Sequence, residues 1–186
     1  MKNDYFHVAR GGLNSTFQDL GRKNLYHIGL PFSGAMDKRN YLIANKLIDN
    51  NKNNPVLEFA YQGPSLKYFG KKRNIVVTGD VNFRIIKKNN SQNKGECYRT
   101  IELDEGDTID ICSTNKSVYG YFSVSGGFKL DKVWDSFSTT IRAQIGSNNG
   151  NKLIDGQDIK LNEPNQLSNK KLDFINSKIE FIRVIK

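Results

Sequence analysis

Short β-type segments recur along this chain every ~8–12 residues, each set off by turn residues, and that rhythm restricts the fold to a sandwich or a barrel. RNIVVTGDVNFRIIKK (73–88) is β-branched and apolar on both sides of Gly79-Asp80, which predicts two strands about a tight turn. DTIDIC (107–112) alternates in period two behind the turn signal DEGD, and SVYGYFSVSGG (117–127) alternates as well. DGQDIKL (155–161) repeats the turn-then-strand form, and SKIEFIRVIK (177–186) reads as a final strand.

One segment breaks the rhythm. In MDKRNYLIANKLIDN (36–50), Leu42, Ile43, Leu47 and Ile48 form a helix-type stripe and Asp37 stands where an N-cap belongs, predicting a main helix over 37–49. NNKNNP (50–55) ends it. A second, short helix is expected over LDKVWDS (130–136), and a long polar loop over NEPNQLSNKK (162–171). No internal repeat or linker divides the chain.

With 186 residues, 37% hydrophobic and 11% aromatic, the chain has material for one substantial core. A fold of this size buries roughly 70% of its unfolded surface. No apolar run approaches the ~18 residues of a membrane span. The start, MKNDYFHVARGG, lacks the apolar stretch of a secretory signal. Cys97 and Cys112 form no CxxC pair and only two histidines are present, so neither a disulfide framework nor a metal centre is expected, and the cytoplasm is the default location. The net charge of +9 raises nucleic-acid binding. However, 20 Lys, 8 Arg and 22 Asn are the signature of an AT-rich coding sequence, and the basic residues are scattered without interleaved aromatics. A solvated basic surface is the expectation, with no nucleic-acid partner.

No GxSxG, HExxH or P-loop is present, and isolated glycine pairs are too weak to mark a phosphate cradle. Asp19, Arg22, Asp37, Glu58, Asp80 and Arg142 do recur among glycines. Clustered, they would bind a polar substrate and stabilise a developing oxyanion. The alternative is a structural Asp–Arg pair with several turn aspartates.

The segments GGLNSTFQDLGR, GLPFSGAMD, ANKLIDNNKNNPVLEFAYQGPSL, VTGDV, YFSVSGGF, DSFSTTIRAQIG and LIDGQDIKL, in this order, resemble the biotin-dependent carboxyltransferase family, also called allophanate hydrolase subunit 2, KipA or the C component of 5-oxoprolinase. The resemblance runs from Val8 to Leu161 and matches the first half of family members. It implies a carboxyltransferase unit over 1–161, with 162–186 leading toward a second half absent from this sequence, and hence little turnover by the chain alone. It also implies a mainly β fold, a cyclophilin-like β-barrel with few helices. The activity implied is ATP-dependent opening of 5-oxoproline to glutamate, with a KipI-like partner and a LamB/YcsF-like subunit. Two alternatives are transfer of a carboxyl group from carboxybiotin to urea, and a KipA-like regulatory role through binding a KipI-like partner. No cofactor is expected on this chain alone.

The family motifs single out particular residues. Asp37 and Asp19 are the candidate catalytic groups. Arg22, in QDLGR, offers a fork for a carboxylate or phosphate, or an ion pair pinning a loop. Ser33, in SGAMD, offers a donor to a substrate carbonyl beside the Asp37 acceptor, against a plain helix cap for Asp37 worth about 1 kcal/mol. Glu58 and Asn45 would complete the site or tie the helix to the sheet. Ser138, Thr139 and Arg142, in STTIRA, read as a second anion-binding corner or a satisfied loop.

Overall fold

The computed structural model describes residues 4–173, in which eleven strands fall into two wholly antiparallel sheets accompanied by one α-helix. The strands are β1 (Tyr5–Arg10), β2 (Asn14–Gln18), β3 (Val56–Ala60), β4 (Ser65–Phe69), β5 (Arg73–Thr78), β6 (Val81–Ile86), β7 (Gln92–Lys94), β8 (Ile101–Leu103), β9 (Thr108–Thr114), β10 (Tyr119–Val124) and β11 (Asp158–Lys160). One sheet has the order β11-β1-β4-β9-β6-β7 and the other β2-β3-β10-β5-β8. The helix α1 (Lys38–Leu47) lies against β3, β5 and β10.

Alternation along the strands builds three layers. Leu57, Phe59, Ile75, Val77, Phe122 and Val124 of the five-stranded sheet meet Phe6, Val8, Leu66, Tyr68, Ile109 and Ile111 of the six-stranded sheet in one core. The intervening residues Val56, Val76 and Tyr121 face the other way and pack with Tyr41, Ala44, Leu47 and Ile48 of the helical segment. Strands β3 and β5 are therefore buried along their whole length. A strand covered on both faces reads as a continuous apolar run rather than an alternating one.

The mainly β class with one helix stands, and the barrel gives way to two separate sheets packed face to face. Asp37 is the N-cap of α1, and its side chain accepts a hydrogen bond from the Asn40 N–H. Leu47 and Ile48 of the expected stripe are buried, with Tyr41, Ala44 and Asn45 beside them, whereas Leu42 is 40% exposed. The two runs flanking Gly79-Asp80 are strands, yet they do not pair; β5 joins β8 and β10, and β6 joins β7 and β9. Gly79 takes a positive φ of 106° at this corner, so the chain leaves one sheet for the other instead of folding back.

The short helix expected over 130–136 is a tight turn. Trp134 and Asp135 have φ of 50° and 57°, and Val133 and Ser136 exchange backbone hydrogen bonds across them. Two successive left-handed residues cannot belong to a right-handed helix. The loop after β11 is polar and irregular, and residues 170–172 bond along 98–100, beside the start of β8. The strand expected over 177–186 lies outside the described residues. Among the described residues no helix is long and apolar enough to cross a membrane.

Candidate active site

Register places a row of polar side chains on the helix-facing side of the five-stranded sheet. Thr16 pairs with Glu58, Glu58 with Tyr121, and Tyr121 with Thr78, so the row crosses β2, β3, β10 and β5. All four are buried. Residues directly opposite in neighbouring strands share a face, so Glu58 is delivered to this layer by pairing alone.

The start of α1 sits on that row. Glu58 Oε2 accepts hydrogen bonds from the Met36 N–H and the Tyr121 hydroxyl, each at 2.8 Å. The same hydroxyl accepts the Asp37 N–H at 2.7 Å. Asp37 takes Asn40 N–H at 3.1 Å on one oxygen and the Asn40 amide at 2.7 Å on the other. Asn40 in turn accepts from the Tyr98 hydroxyl at 2.8 Å. Burial pushes the Glu58 carboxyl above the usual carboxylate range and the Asp37 charge adds to the rise; the two donors on Oε2 act against it. Burial, and then the Glu58 charge, raise the Tyr121 phenol. Oε1 of Glu58 has no hydrogen-bond partner among the described residues.

A second cluster lies at the end of β2. Asp19 Oδ1 accepts from the Gly21 N–H at 2.8 Å and from the hydroxyls of Ser136 and Ser138 at 2.8 and 2.6 Å, while Oδ2 accepts the Phe137 N–H at 2.7 Å. Arg22 is 2% exposed; its guanidinium donates to the Thr140 hydroxyl at 3.0 Å and to the Ser138 carbonyl. Burial lowers its pKa against the opposing pull of Asp19. Thr140 shares a 2.7 Å hydroxyl contact with Ser33.

The stretch from Gly29 to Asp37 joins the two clusters. Its Ala35 N–H donates to the Asp19 carbonyl at 2.9 Å, one residue before Met36 reaches Glu58. Gly34, at φ 91°, lets the loops touch: a Cβ there would lie 2.8 Å from the Gly21 nitrogen. Both docking loops thus depend on glycine at the contact.

Residues 28–184 match the family model described as "Carboxyltransferase domain, subdomain A and B". The chain belongs to the carboxyltransferase domain family. It is 32% identical over 146 residues to the C component of 5-oxoprolinase from Haemophilus influenzae, a match covering 78% of this chain and 46% of that protein. It is 27% identical over 173 residues to urea amidolyase of Saccharomyces cerevisiae, covering 92% of this chain and 9% of that one. Among solved structures, the Kluyveromyces lactis urea amidolyase superposes with a TM-score of 0.80 at 30% identity, over 94% of this chain and 10% of that chain. The chain therefore spans about half the length of the curated 5-oxoprolinase C components and a small part of the amidolyases.

Within this carboxyltransferase unit the residues singled out in sequence separate into groups. Asp37 and Glu58 meet at the helix start; Asp19, Arg22, Ser33 and Ser138 meet at the β2 end. Asn45 serves as the tie between helix and sheet, donating to the Asn54 carbonyl at 2.9 Å and accepting from Ser123 at 3.1 Å. Thr139 is spent on the loop itself, its hydroxyl donating to the Ser147 carbonyl at 3.1 Å. Arg142 lies exposed on the short helical turn Ile141–Ala143, with no partner among the described residues. Asp80 is in the corner after β5, accepting from Asn115 at 2.8 Å, away from both clusters. Tyr121, Asn40, Ser136 and Thr140 escaped the sequence reading. Tyr121 had a signal: a phenol in an otherwise apolar buried strand needs a partner for its hydroxyl.

Proposed function

We propose that this chain supplies the carboxyltransferase-type unit of a cytoplasmic, ATP-dependent 5-oxoprolinase, an amide hydrolase assembled with a KipI-like and a LamB/YcsF-like subunit. The observation that carries the reading is the Glu58 carboxyl, buried and raised in pKa, with Oε2 clamped by Met36 and Tyr121 and Oε1 left unengaged. A carboxyl poised this way, with its pKa raised by burial, is suited to exchange a proton with a small amide. Similarity to a 5-oxoprolinase C component supports a lactam as that amide.

The roles follow from the contacts. Glu58 handles the proton, and Tyr121 and the Met36 N–H hold it in one orientation. Asp37 caps the helix and keeps negative charge beside Glu58. Asp19, with both oxygens occupied, fixes the loops that carry Ser33 and Arg22. At the helix start the N–H groups of Met36, Asp37 and Asn40 are already taken by Glu58, Tyr121 and Asp37. The proposal assigns ATP to the partner subunits, and no step here passes through it.

The test combines the chain with its partner subunits and follows ATP-dependent glutamate release from 5-oxoproline. Glu58→Gln is expected to lower turnover ~100-fold or more, the scale of a general acid–base group. Full turnover in that variant would remove Glu58 from the chemistry. Similarity to urea amidolyases motivates the second reading, transfer from carboxybiotin to urea. Urea carboxylation by the assembled protein, with no glutamate release, would establish it in place of the first.

A further inference from the structure

Two arginines are almost wholly buried, and they are provided for very differently. Arg73, 0% exposed, donates from Nε to the Tyr68 hydroxyl, from Nη1 to the Ser125 carbonyl, and from Nη2 to both the Asp4 carboxylate and the Asn162 carbonyl. Every nitrogen is satisfied and the charge is neutralised at 2.8 Å. Arg22, 2% exposed, uses two of its donors, on Thr140 and the Ser138 carbonyl. A guanidinium carries five N–H donors, and the Arg22 Nε is buried with no partner. Among the described residues no carboxylate bonds to it. Asp19 acts on it only through its charge, because both Asp19 oxygens are held by Gly21, Ser136, Phe137 and Ser138.

A buried cation without a hydrogen-bonded anion is costly, and such groups are normally paired. The guanidinium is linked outward through hydroxyls. Thr140 Oγ1 accepts from Nη1 and also meets Ser33 Oγ at 2.7 Å, and both residues are only half-buried. Ser33 stands three residues before Met36, whose N–H holds Glu58. Three residues span at most ~11 Å, so the hydroxyl pair and the Glu58 contact lie on one short loop. Arg142, two residues beyond Thr140, is exposed.

We propose that Arg22, reached through the Ser33–Thr140 hydroxyl pair, is a carboxylate-recognition residue, and that the ligand is a small amide acid whose amide lies toward Glu58. The carboxylate supplies the anion that Arg73 finds in Asp4 and Arg22 lacks. The amide part of this inference rests on the 5-oxoprolinase reading; the carboxylate part stands apart from it. It separates the two substrates named by the relatives, since 5-oxoproline carries a carboxylate and urea does not.

The experiment titrates the full chain by calorimetry with 5-oxoproline, with pyrrolidin-2-one (the same ring without the carboxylate) and with acetate. The expected result is 5-oxoproline binding at least ~10-fold tighter than pyrrolidin-2-one, in keeping with a charge-assisted pair. Arg22→Lys, which keeps the charge and loses the planar fork, should erase most of that preference. Should that variant not fold, Thr140→Val and Ser33→Ala serve instead, each expected to reduce the preference several-fold with an unchanged circular dichroism spectrum. Equal affinity for the two rings, absence of binding by all three probes, or a preference untouched in folded variants would overturn the proposal. Arg22-dependent acetate binding without any gain from the lactam ring would keep the carboxylate site while removing the 5-oxoproline reading.

Discussion

Asp19 and Glu58 are two buried carboxylates served by adjoining loops, and their hydrogen-bond surroundings differ sharply. Asp19 has four donors spread over both oxygens, two of them backbone N–H groups. Glu58 has two donors, both on one oxygen, in a setting whose burial raises its pKa. A carboxylate wrapped in donors is a fixed charge that orders a loop. One that is desolvated and half-served is a group whose protonation can change during a reaction. The sequence presents both as acids among glycines; the count and placement of donors tell them apart.

The sharpest way to break the contrast is Asp19→Ala. It strands two hydroxyls and two backbone N–H groups in the interior, and a loss of about 3–5 kcal/mol is expected, as for removing one partner of a buried charged network. Thermal unfolding should fall by roughly 10 °C for a chain of this size. A shift of only a degree or two would mean that the loops hold without it.

Glu58→Gln is the counterpart, with its ~100-fold or greater effect on turnover and little effect on folding. It also carries a pH signature. The folded pKa of Glu58 lies above its unfolded value, so its stabilising contribution is complete below the ordinary carboxyl range. That contribution is lost as pH rises through the raised folded pKa. The stability difference between wild type and Glu58→Gln should therefore shift in favour of the variant from acid toward neutral pH. Urea unfolding at a series of pH values measures this; a difference independent of pH would place Glu58 among the fixed charges with Asp19.

Asp37→Asn tests the bridge between the two. Asn caps nearly as well as Asp, so the expected cost is about 1 kcal/mol from the lost dipole term and one weakened bond to Asn40. Because the Asp37 charge helps to raise Glu58, the acid limb of the pH–rate profile should move to lower pH. An unmoved limb would uncouple the two carboxyls. The smallest effect belongs to Arg142→Ala, within about 0.5 kcal/mol as for an exposed side chain without partners. A clear drop in melting temperature would reveal a contact at that turn.

Local signals in the sequence carried over faithfully. The cap at Asp37 and the apolar positions after it give α1, and alternation behind a turn gives β9, β10 and β11, because these features depend on neighbours a few residues away. Sheet membership does not. The runs beside Gly79 read as a hairpin, but each finds partners elsewhere in the chain, and no short-range pattern encodes that choice. The helix stripe held at Leu47 and Ile48 but not at Leu42, because the sheet beneath α1 also takes Tyr41, Ala44 and Asn45, the last for its amide bonds to Asn54 and Ser123. At the candidate site, Glu58 and Asp37 were legible as acids near the helix start. Tyr121 was not, since its part depends on standing opposite Glu58 in the register of β10 with β3. Trp134 and Asp135 read as helix because nothing local forbids it, and only the closure of Val133 on Ser136 sets the turn.

The strand orders have a consequence for how the protein is made. β9 and β10 are consecutive in the chain, yet each fills the interior of a different sheet, between β4 and β6 in one and between β3 and β5 in the other. A nascent chain that has emerged only to β8 holds two antiparallel strand pairs per side with the joining strand still missing. Synthesis adds ~5–20 residues per second, so the unmatched edges wait for seconds before Thr108–Val124 arrives. Long-range pairing of this kind places folding in the millisecond-to-second range rather than in microseconds. The strand that sets Tyr121 opposite Glu58 is therefore also one of the two that join the fragments, and the candidate site takes shape only once β10 has entered the five-stranded sheet.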